Sequence, residues 1–197
     1  ALDVIQNDEE YIWAATYDGL IRFDGKDFKL FNKYTDKGYS ALSATRLFED
    51  SKKRLWVATN ESGVLIYKMG KFTNLSMKDG LNSNIVRAIK EDKKGNIFIG
   101  TAKGLVKLWQ DEKSEKWVMN TIFSDVDVIN LEIINNDGIV AITNSGEILS
   151  YMNGKKENIF SDKNFLDYKY QTILEDSNNN IWLGTTSGEV VKINNFK

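Results

Sequence analysis

Histidine, cysteine and proline are all missing from this 197-residue chain. Without cysteine there is no disulfide, no thiolate zinc site and no cysteine nucleophile. Without histidine, the commonest general base and commonest metal ligand are gone, and with them every Ser-His or Cys-His pairing. The lack of proline leaves Gly, Asn and Asp to supply the turn chemistry. An excess of either charge is missing as well: 26 basic against 28 acidic residues give a net charge of −2, spread along the chain. Nucleic acid is therefore not an expected partner, because that function needs a basic patch or stripe. No apolar run approaches the ~20 residues of a membrane helix. The opening Ala1-Leu2-Asp3-Val4 lacks the basic and apolar regions of a signal peptide. The chain is read as soluble as made, or as a mature or excised portion of something longer. Phosphate loops, dinucleotide fingerprints and Gly-x-Ser-x-Gly elbows are also absent.

What the chain has is a repeat. Ile12-Trp13-Ala14-Ala15-Thr16, Leu55-Trp56-Val57-Ala58-Thr59, Ile97-Phe98-Ile99-Gly100-Thr101, Ile139-Val140-Ala141-Ile142-Thr143 and Ile181-Trp182-Leu183-Gly184-Thr185 share one pattern. Their threonines are 43, 42, 42 and 42 residues apart, and a glycine follows each, at Gly19, Gly63, Gly104, Gly146 and Gly188. Upstream, Glu49-Asp50, Glu91-Asp92 and Glu175-Asp176 hold one place in three of the repeats. Each unit reads as four short strands, rich in β-branched and aromatic residues and bounded by Gly, Asn and Asp. In the third they run from Val86 to Glu91, Asn96 to Thr101, Leu105 to Trp109 and Trp117 to Thr121. A tight Gly-Lys turn joins the last two strands at Gly25, Gly70 and Gly154, and the third repeat replaces it with the charged stretch Asp111 to Lys116. Four strands in ~40–45 residues is the period of a propeller blade. A helical repeat of this length is excluded, because Gly and Asn break every window before a 3.6-residue apolar period is established.

The fold class expected is therefore all-β: a β-propeller of about five four-stranded blades. The blades fall at approximately 1–43, 44–84, 85–126, 127–168 and 169–197, the last lacking its fourth strand. The second strand of each blade should pack on both faces, which explains its apolar run and its large aromatic at Trp13, Trp56, Phe98 or Trp182. Small residues at Ala15, Ala58, Gly100 and Gly184 fit where neighbouring sheets crowd toward the axis. Two closures are open: a small ring whose last blade has three strands, or an arc of a larger propeller. The arc leaves blade faces uncovered and predicts self-association through them.

The stretch from Asp79-Gly80-Leu81 through Asn84-Ile85-Val86, Glu91-Asp92 and Gly95-Asn96-Ile97-Phe98-Ile99-Gly100-Thr101 to Gly104-Leu105 closely resembles the two-component regulator propeller repeat. The resemblance extends over Ile173 to Gly188 and Leu47 to Leu65. In the first repeat it is confined to Trp13 to Leu20. The fourth repeat lacks the Trp and the Glu-Asp pair, and has Ile142 where Gly is usual. The resemblance implies a sensory region of a bacterial membrane-spanning regulator, held on the periplasmic or extracellular side. A membrane and an output module such as a kinase or cyclase would then belong to a parent protein.

Catalytic chemistry is not expected. The recurring Glu-Asp pairs invite comparison with glycosidase carboxylates, but a pair used in three blades at one strand-to-strand turn reads as a turn cap. Carboxylates assembled across five blades remain a remote glycosidase alternative. Asp176-Ser177-Asn178-Asn179-Asn180 imitates the start of a calcium loop, yet lacks the glycine at its sixth position and has Ser187 where the closing Glu should stand. No metal and no cofactor is expected. A binding site should lie at the mouth of the channel where second-to-third and fourth-to-first loops gather. The candidates are Tyr17, Asp18, Asn60, Glu61, Asn82 and Asn84 from those loops, with Arg46, Arg87 and Gln171 from the first strands. The function expected is sensing of a carbohydrate or another polar small molecule. The alternative is a protein-interaction scaffold with no small ligand.

Overall fold

The computed structural model describes residues 1–134, 138–159 and 169–194. Five antiparallel sheets follow one another along the chain. Blade one comprises β1 (Asp3–Gln6), β2 (Ile12–Thr16), β3 (Gly19–Phe23) and β4 (Phe28–Phe31). Blade two comprises β5 (Arg46–Glu49), β6 (Leu55–Ala58), β7 (Val64–Lys68) and β8 (Lys71–Leu75). Blade three comprises β9 (Val86–Glu91), β10 (Ile97–Thr101), β11 (Gly104–Gln110) and β12 (Trp117–Ser124). Blade four comprises β13 (Val128–Ile134), β14 (Gly138–Thr143), β15 (Ile148–Met152) and β16 (Lys155–Asn158). Blade five has three described strands, β17 (Tyr170–Glu175), β18 (Ile181–Thr185) and β19 (Val190–Ile193). Each strand pairs with the next in sequence, so every connection inside a blade is a hairpin. The last strand of blade three runs on to Ser124, past the Thr121 limit read from sequence, because a bulge at Leu105/Val106 carries the pairing further.

The blades pack through their faces, with their first strands side by side. β1 lies beside β5, β5 beside β9, β9 beside β13 and β13 beside β17, so these strands line the axis. Side chains alternate between the two junctions that flank each sheet. In blade three, Ile89, Ile99 and Val106 stand opposite one another on one face, while Lys90, Phe98 and Lys107 share the other. Four apolar clusters result, one at each junction. Trp13 and Trp56 are fully buried in the first two, and Phe98 is buried in the third. A Cβ at Gly100 would come within 2.7 Å of a methyl of Val128 on the neighbouring first strand, so a small residue there permits the close approach at the axis. The worn fourth repeat still forms its four strands, since Ile139 to Thr143 keeps both faces of β14 apolar and buried.

The threonine that closes each second strand has one task throughout. Its hydroxyl donates across the tight turn to a backbone carbonyl, at 2.9 Å from Thr16 to Gly19, 2.9 Å from Thr59 to Gly63 and 3.1 Å from Thr101 to Gly104. Thr143 and Thr185 donate instead to the residue after the glycine, to Glu147 at 3.3 Å and Glu189 at 3.2 Å. Gly19 and Gly104 open the third strand and Gly63 immediately precedes it, whereas Gly146 and Gly188 lie inside the turn, two residues before theirs.

The Glu-Asp pairs divide their work between two blades. Asp50 accepts backbone N–H groups of Lys52 and Arg54, both at 2.9 Å, together with the Trp56 indole N–H at 2.7 Å. Asp176 repeats this with Asn178 and Asn180 backbone N–H groups, each at 2.9 Å, and the Trp182 indole at 2.8 Å. Asp92 holds its turn through Lys94, Asn96 and the Asn96 amide. The glutamates reach the preceding blade: Glu49 accepts the Asp8 N–H at 2.9 Å, and Glu91 accepts both the N–H and hydroxyl of Ser51 at 2.7 Å. In all three pairs the Asp caps its own turn, and Glu49 and Glu91 staple the neighbour's. Hydrogen bonds from Asn180 and Trp182 hold the Asp176 carboxyl well below its ordinary value. A depressed carboxylate stabilises the fold above its unfolded pKa of ~3.9 and loses that contribution as pH falls toward the folded value. Melting temperatures of the wild type and Asp176→Asn should therefore differ by a constant amount above pH ~5, and converge below ~4. A gap that narrows between pH 7 and pH 5 would contradict this assignment.

Blade five packs on blade four through β13 and β14, and no packing of comparable extent joins it to blade one among the described residues. Trp182, unlike Trp13 and Trp56, is only partly buried, and among the described residues no further sheet packs on the face it occupies.

Candidate functional site

The first strands give the axial wall a polar lining. Arg87 grips Asp127 with two bonds, Nε to Oδ1 at 2.6 Å and Nη2 to Oδ2 at 3.2 Å, linking blades three and four. Lys90 pairs with Glu132 at 2.7 Å one step along the same junction. The Asn130 amide donates to the Gln171 carbonyl at 3.0 Å and ties blade four to blade five. Arg46 is different. Its Nη1 donates to the backbone carbonyl of Thr45 at 3.0 Å and, more distantly, to that of Leu2 at 3.5 Å. No carboxylate pairs with it among the described residues.

Four of the nine candidate residues converge. Tyr17, Arg46, Asn60 and Arg87 line one cleft of about 280 Å³, together with Leu2, Thr45, Val86 and Ile129. Its walls come from blades one to four, at the mouth formed by the second-to-third and fourth-to-first loops. Tyr17 is 73% exposed at its rim. This set offers guanidinium and amide donors beside a phenol ring, which suits recognition of a polar, oxygen-rich molecule. No carboxylate side chain lines this cleft. Among the described residues no cluster of three acidic side chains has the geometry to hold a metal ion.

The other candidates serve the loops. Glu61 accepts the Leu42 N–H at 2.6 Å, the Ser43 N–H at 3.3 Å and the Ser43 hydroxyl at 3.2 Å. Asn82 accepts the Thr101 hydroxyl at 2.8 Å and donates to the Lys103 carbonyl at 3.1 Å. Asn84 accepts the Met77 N–H at 2.8 Å, steadying the short 3-10 turn Met77–Asp79. Asp18 contributes its backbone, whose carbonyl accepts from Asn32 at 3.3 Å. Gln171 is exposed on the axial side of blade five and enters the lattice of first strands through its carbonyl.

At the opposite ends of the strands lies a feature that sequence reading passed over. Arg54 stands where blades three and five have Asn96 and Asn180. Its guanidinium is buried, donates to Gln110 Oε1 at 2.9 Å, and sits 4.9 Å from the ring centre of Trp117. With Ile66, Met69 and Lys71 these residues edge a cleft of about 490 Å³ between blades two and three. The departure of Arg54 from the Asn of its sister repeats, and the replaced turn of repeat three, were the signals available. Here the cation is already occupied by Asp50, so the axial cleft, with its unpaired Arg46, is the better candidate for ligand capture.

Comparison with known proteins adds to this geometry. Residues 80–103 and 164–187 each match the family model described as two component regulator propeller. These two stretches are similar to two-component regulator propeller repeats. The other three blades repeat the same strand order without matching that model. No curated protein matches the chain. Among solved structures, the extracellular domain of the hybrid two component system BT3049 from B. thetaiotaomicron superposes with a TM-score of 0.77 at 24% identity, over 98% of this chain and 26% of that one. The extracellular domain of the one component system BT4673 from the same organism gives a TM-score of 0.77 at 19% identity, over 100% of this chain and 29% of that one. Virginiamycin B lyase from Staphylococcus aureus gives 0.68 at 12% identity, over 98% and 69%. These likenesses show the propeller fold. The chain spans about a quarter of the length of the two regulator domains.

Proposed function

We propose that this chain is a non-enzymatic, ligand-sensing propeller segment of a membrane-anchored bacterial regulator, displayed outside the cytoplasmic membrane. Its ligand is a carbohydrate or a similar polar small molecule, taken up in the axial cleft. The observation that carries the reading is the convergence of Tyr17, Arg46, Asn60 and Arg87 from three blades on one mouth of the axis. The regulator repeats, and the likeness to extracellular domains of the hybrid and one component systems of B. thetaiotaomicron, support the setting. The lyase likeness does not favour catalysis, because the lyase structure is of a form inactivated by replacing a histidine and this chain has no histidine. A ligand that bridges residues of several blades favours the blade arrangement in which it fits best, and shifts the population toward it. That bias is what a sensor transmits to its output module.

A thermal-shift screen against mono- and oligosaccharides tests this. A ligand at a hundredfold excess over its Kd adds about 2.7 kcal/mol, equivalent to roughly 5–11 °C in a domain of this size. Arg46→Gln should weaken binding by ~10–100-fold, the worth of a charged hydrogen bond. It should leave the unliganded melting temperature within about 1–2 °C, since Arg46 bonds only exposed backbone carbonyls. A screen in which no saccharide raises the melting temperature, or a shift that survives Arg46→Gln undiminished, would reject the cleft as the sensing site.

A further inference from the structure

Three departures from the repeat meet in the cleft of about 490 Å³ between blades two and three. Structural positions recur from blade to blade, so residues that break the pattern together at one place point to a task outside the fold. The first is Met69. It stands at φ +48° in the two-residue turn between β7 and β8, followed by Gly70 at +82°. Blade four makes the same turn with Asn153 and Gly154, at +48° and +80°. Asparagine and glycine suit that left-handed geometry, and methionine does not. Met69 is also 87% exposed, so neither backbone nor burial accounts for it. The second is Lys68, in the place of Met152 of blade four. It lies directly opposite Lys71 in the last rung before the turn, and like charges so placed repel. Neither lysine forms an ion pair among the described residues. The third is Arg54, where blades three and five have Asn96 and Asn180. Its guanidinium, with the Trp56 ring 5.2 Å away, fixes Trp117 at the cleft wall.

We propose that this cleft binds a small aromatic acid, its ring against Met69 and Trp117 and its carboxylate or sulfonate at Lys68 and Lys71. The volume falls in the range of small-molecule sites, roughly 300–1,000 Å³. Ile66, Met69 and Trp117 give it an apolar wall, and three cations line it with no carboxylate side chain. Asp50 already answers the Arg54 charge, so capture of an anion falls to the two lysines. An acid group between them removes the repulsion that the bare pair carries. An aromatic body suits the wall, because indole stacks on rings and a thioether packs well against them. The acids of the replaced turn, Asp111 and Glu112, line a separate cleft on the other side of Gln110. Both walls belong to sheets inside the array, each packed on its other face by blade one or blade four, so the opening does not depend on where the chain ends. The site lies at the opposite ends of the strands from the axial cleft and does not rest on a ligand there.

The probe is anilinonaphthalene sulfonate, an aromatic acid that fluoresces on apolar surface, titrated into the purified chain. Half-saturation is expected at about 10–100 μM, ordinary for a ligand of that size. Naphthoate should displace the probe, and the uncharged naphthamide at the same concentration should not. Lys68→Gln with Lys71→Gln should weaken binding roughly tenfold. Both positions are exposed, so this variant should melt no lower than the wild type. Met69→Asn should weaken binding about 3–10-fold while raising the melting temperature by about 1–3 °C, since it gives the turn the residue its geometry favours. Arg46→Gln should leave the titration unchanged, which separates this site from the axial cleft. The absence of saturable binding overturns the proposal. So does an affinity undiminished in the lysine variant or in Met69→Asn, displacement by the amide as strong as by the acid, or loss of the signal on Arg46→Gln.

Discussion

Asp50→Ala should lower the melting temperature by roughly 6–20 °C, the equivalent of ~3–5 kcal/mol for breaking a buried ion pair in a domain of this size. Asp50 is 3% and Arg54 6% exposed, and the carboxylate serves four donors at once: two backbone N–H groups, the Arg54 Nε and the Trp56 indole. Alanine removes all four acceptor contacts. It leaves a guanidinium and an indole N–H in a site from which water is excluded, and burial without a partner is the expensive outcome. Arg54→Asn separates the charge term from the turn term. Asn96 and Asn180 show that asparagine in this place donates to the same aspartate, at 2.7 and 2.8 Å. Arg54→Asn should accordingly cost only about 1–2 kcal/mol, from the loss of Gln110 and the support under Trp117. Denaturant titration of both variants checks the order. If Arg54→Asn proved as damaging as Asp50→Ala, the ion pair and not the turn would dominate this corner.

The repeat made the architecture legible before any coordinates. Five Thr–Gly pairs at four spacings near 42 residues specify the blades, and the alternation in β10 specifies which residues face each junction. The division of labour within Glu-Asp was not legible. A recurrent pair announces a structural duty, but its sequence cannot say that Glu91 acts on Ser51, 40 residues earlier, while Asp92 acts on its own turn. That follows only from the first strands lying side by side, which brings the end of one against the turn of the preceding blade. Trp182 shows the converse limit. Its position in the repeat matches Trp56, yet its exposure differs because burial depends on the next sheet as well as on its own.

The candidate site was legible by region more than by residue. Propeller geometry directed attention to one mouth, and Tyr17, Arg46, Asn60 and Arg87 do meet there. Glu61, Asn82 and Asn84 come from the same loops, but their side chains hold backbone and hydroxyl groups within hydrogen-bond distance. A polar side chain in a tight loop is claimed first by local donors and acceptors, which sequence pattern alone does not reveal. Arg46 is left free for a further partner for an opposite reason. Asp3, an acid on the first strand of blade one, accepts the Leu47 N–H at 2.9 Å and forms no ion pair with Arg46.

The aligned glycines give the second large effect, because Gly104 and Gly188, each three residues after the repeat threonine, are two kinds of site in space. Gly104 has φ +140°, and a Cβ there would lie 1.9 Å from the Phe123 carbonyl oxygen of the fourth strand. Backbone cannot move aside as a flexible side chain can, and the Phe123 carbonyl is anchored in the β11–β12 pairing. Gly104→Ala should destabilise by about 3 kcal/mol or more, combining positive-φ strain with a clash that distorts the blade. Gly188, at φ +90°, has no atom within 4 Å of the corresponding point. Gly188→Ala carries the conformational term alone, about 1–2 kcal/mol. The comparison isolates the packing role of the glycine from its conformational role, since both residues follow the same repeat threonine. In urea, the midpoint should fall at least twice as far for Gly104→Ala as for Gly188→Ala, with the slopes unchanged if both unfold as the wild type does. Equal shifts would mean that the fourth strand yields readily at Phe123. The recurring glycine would then answer only to its dihedral angle, and not to the carbonyl that Phe31, Leu75 and Phe123 each bring against it in blades one to three.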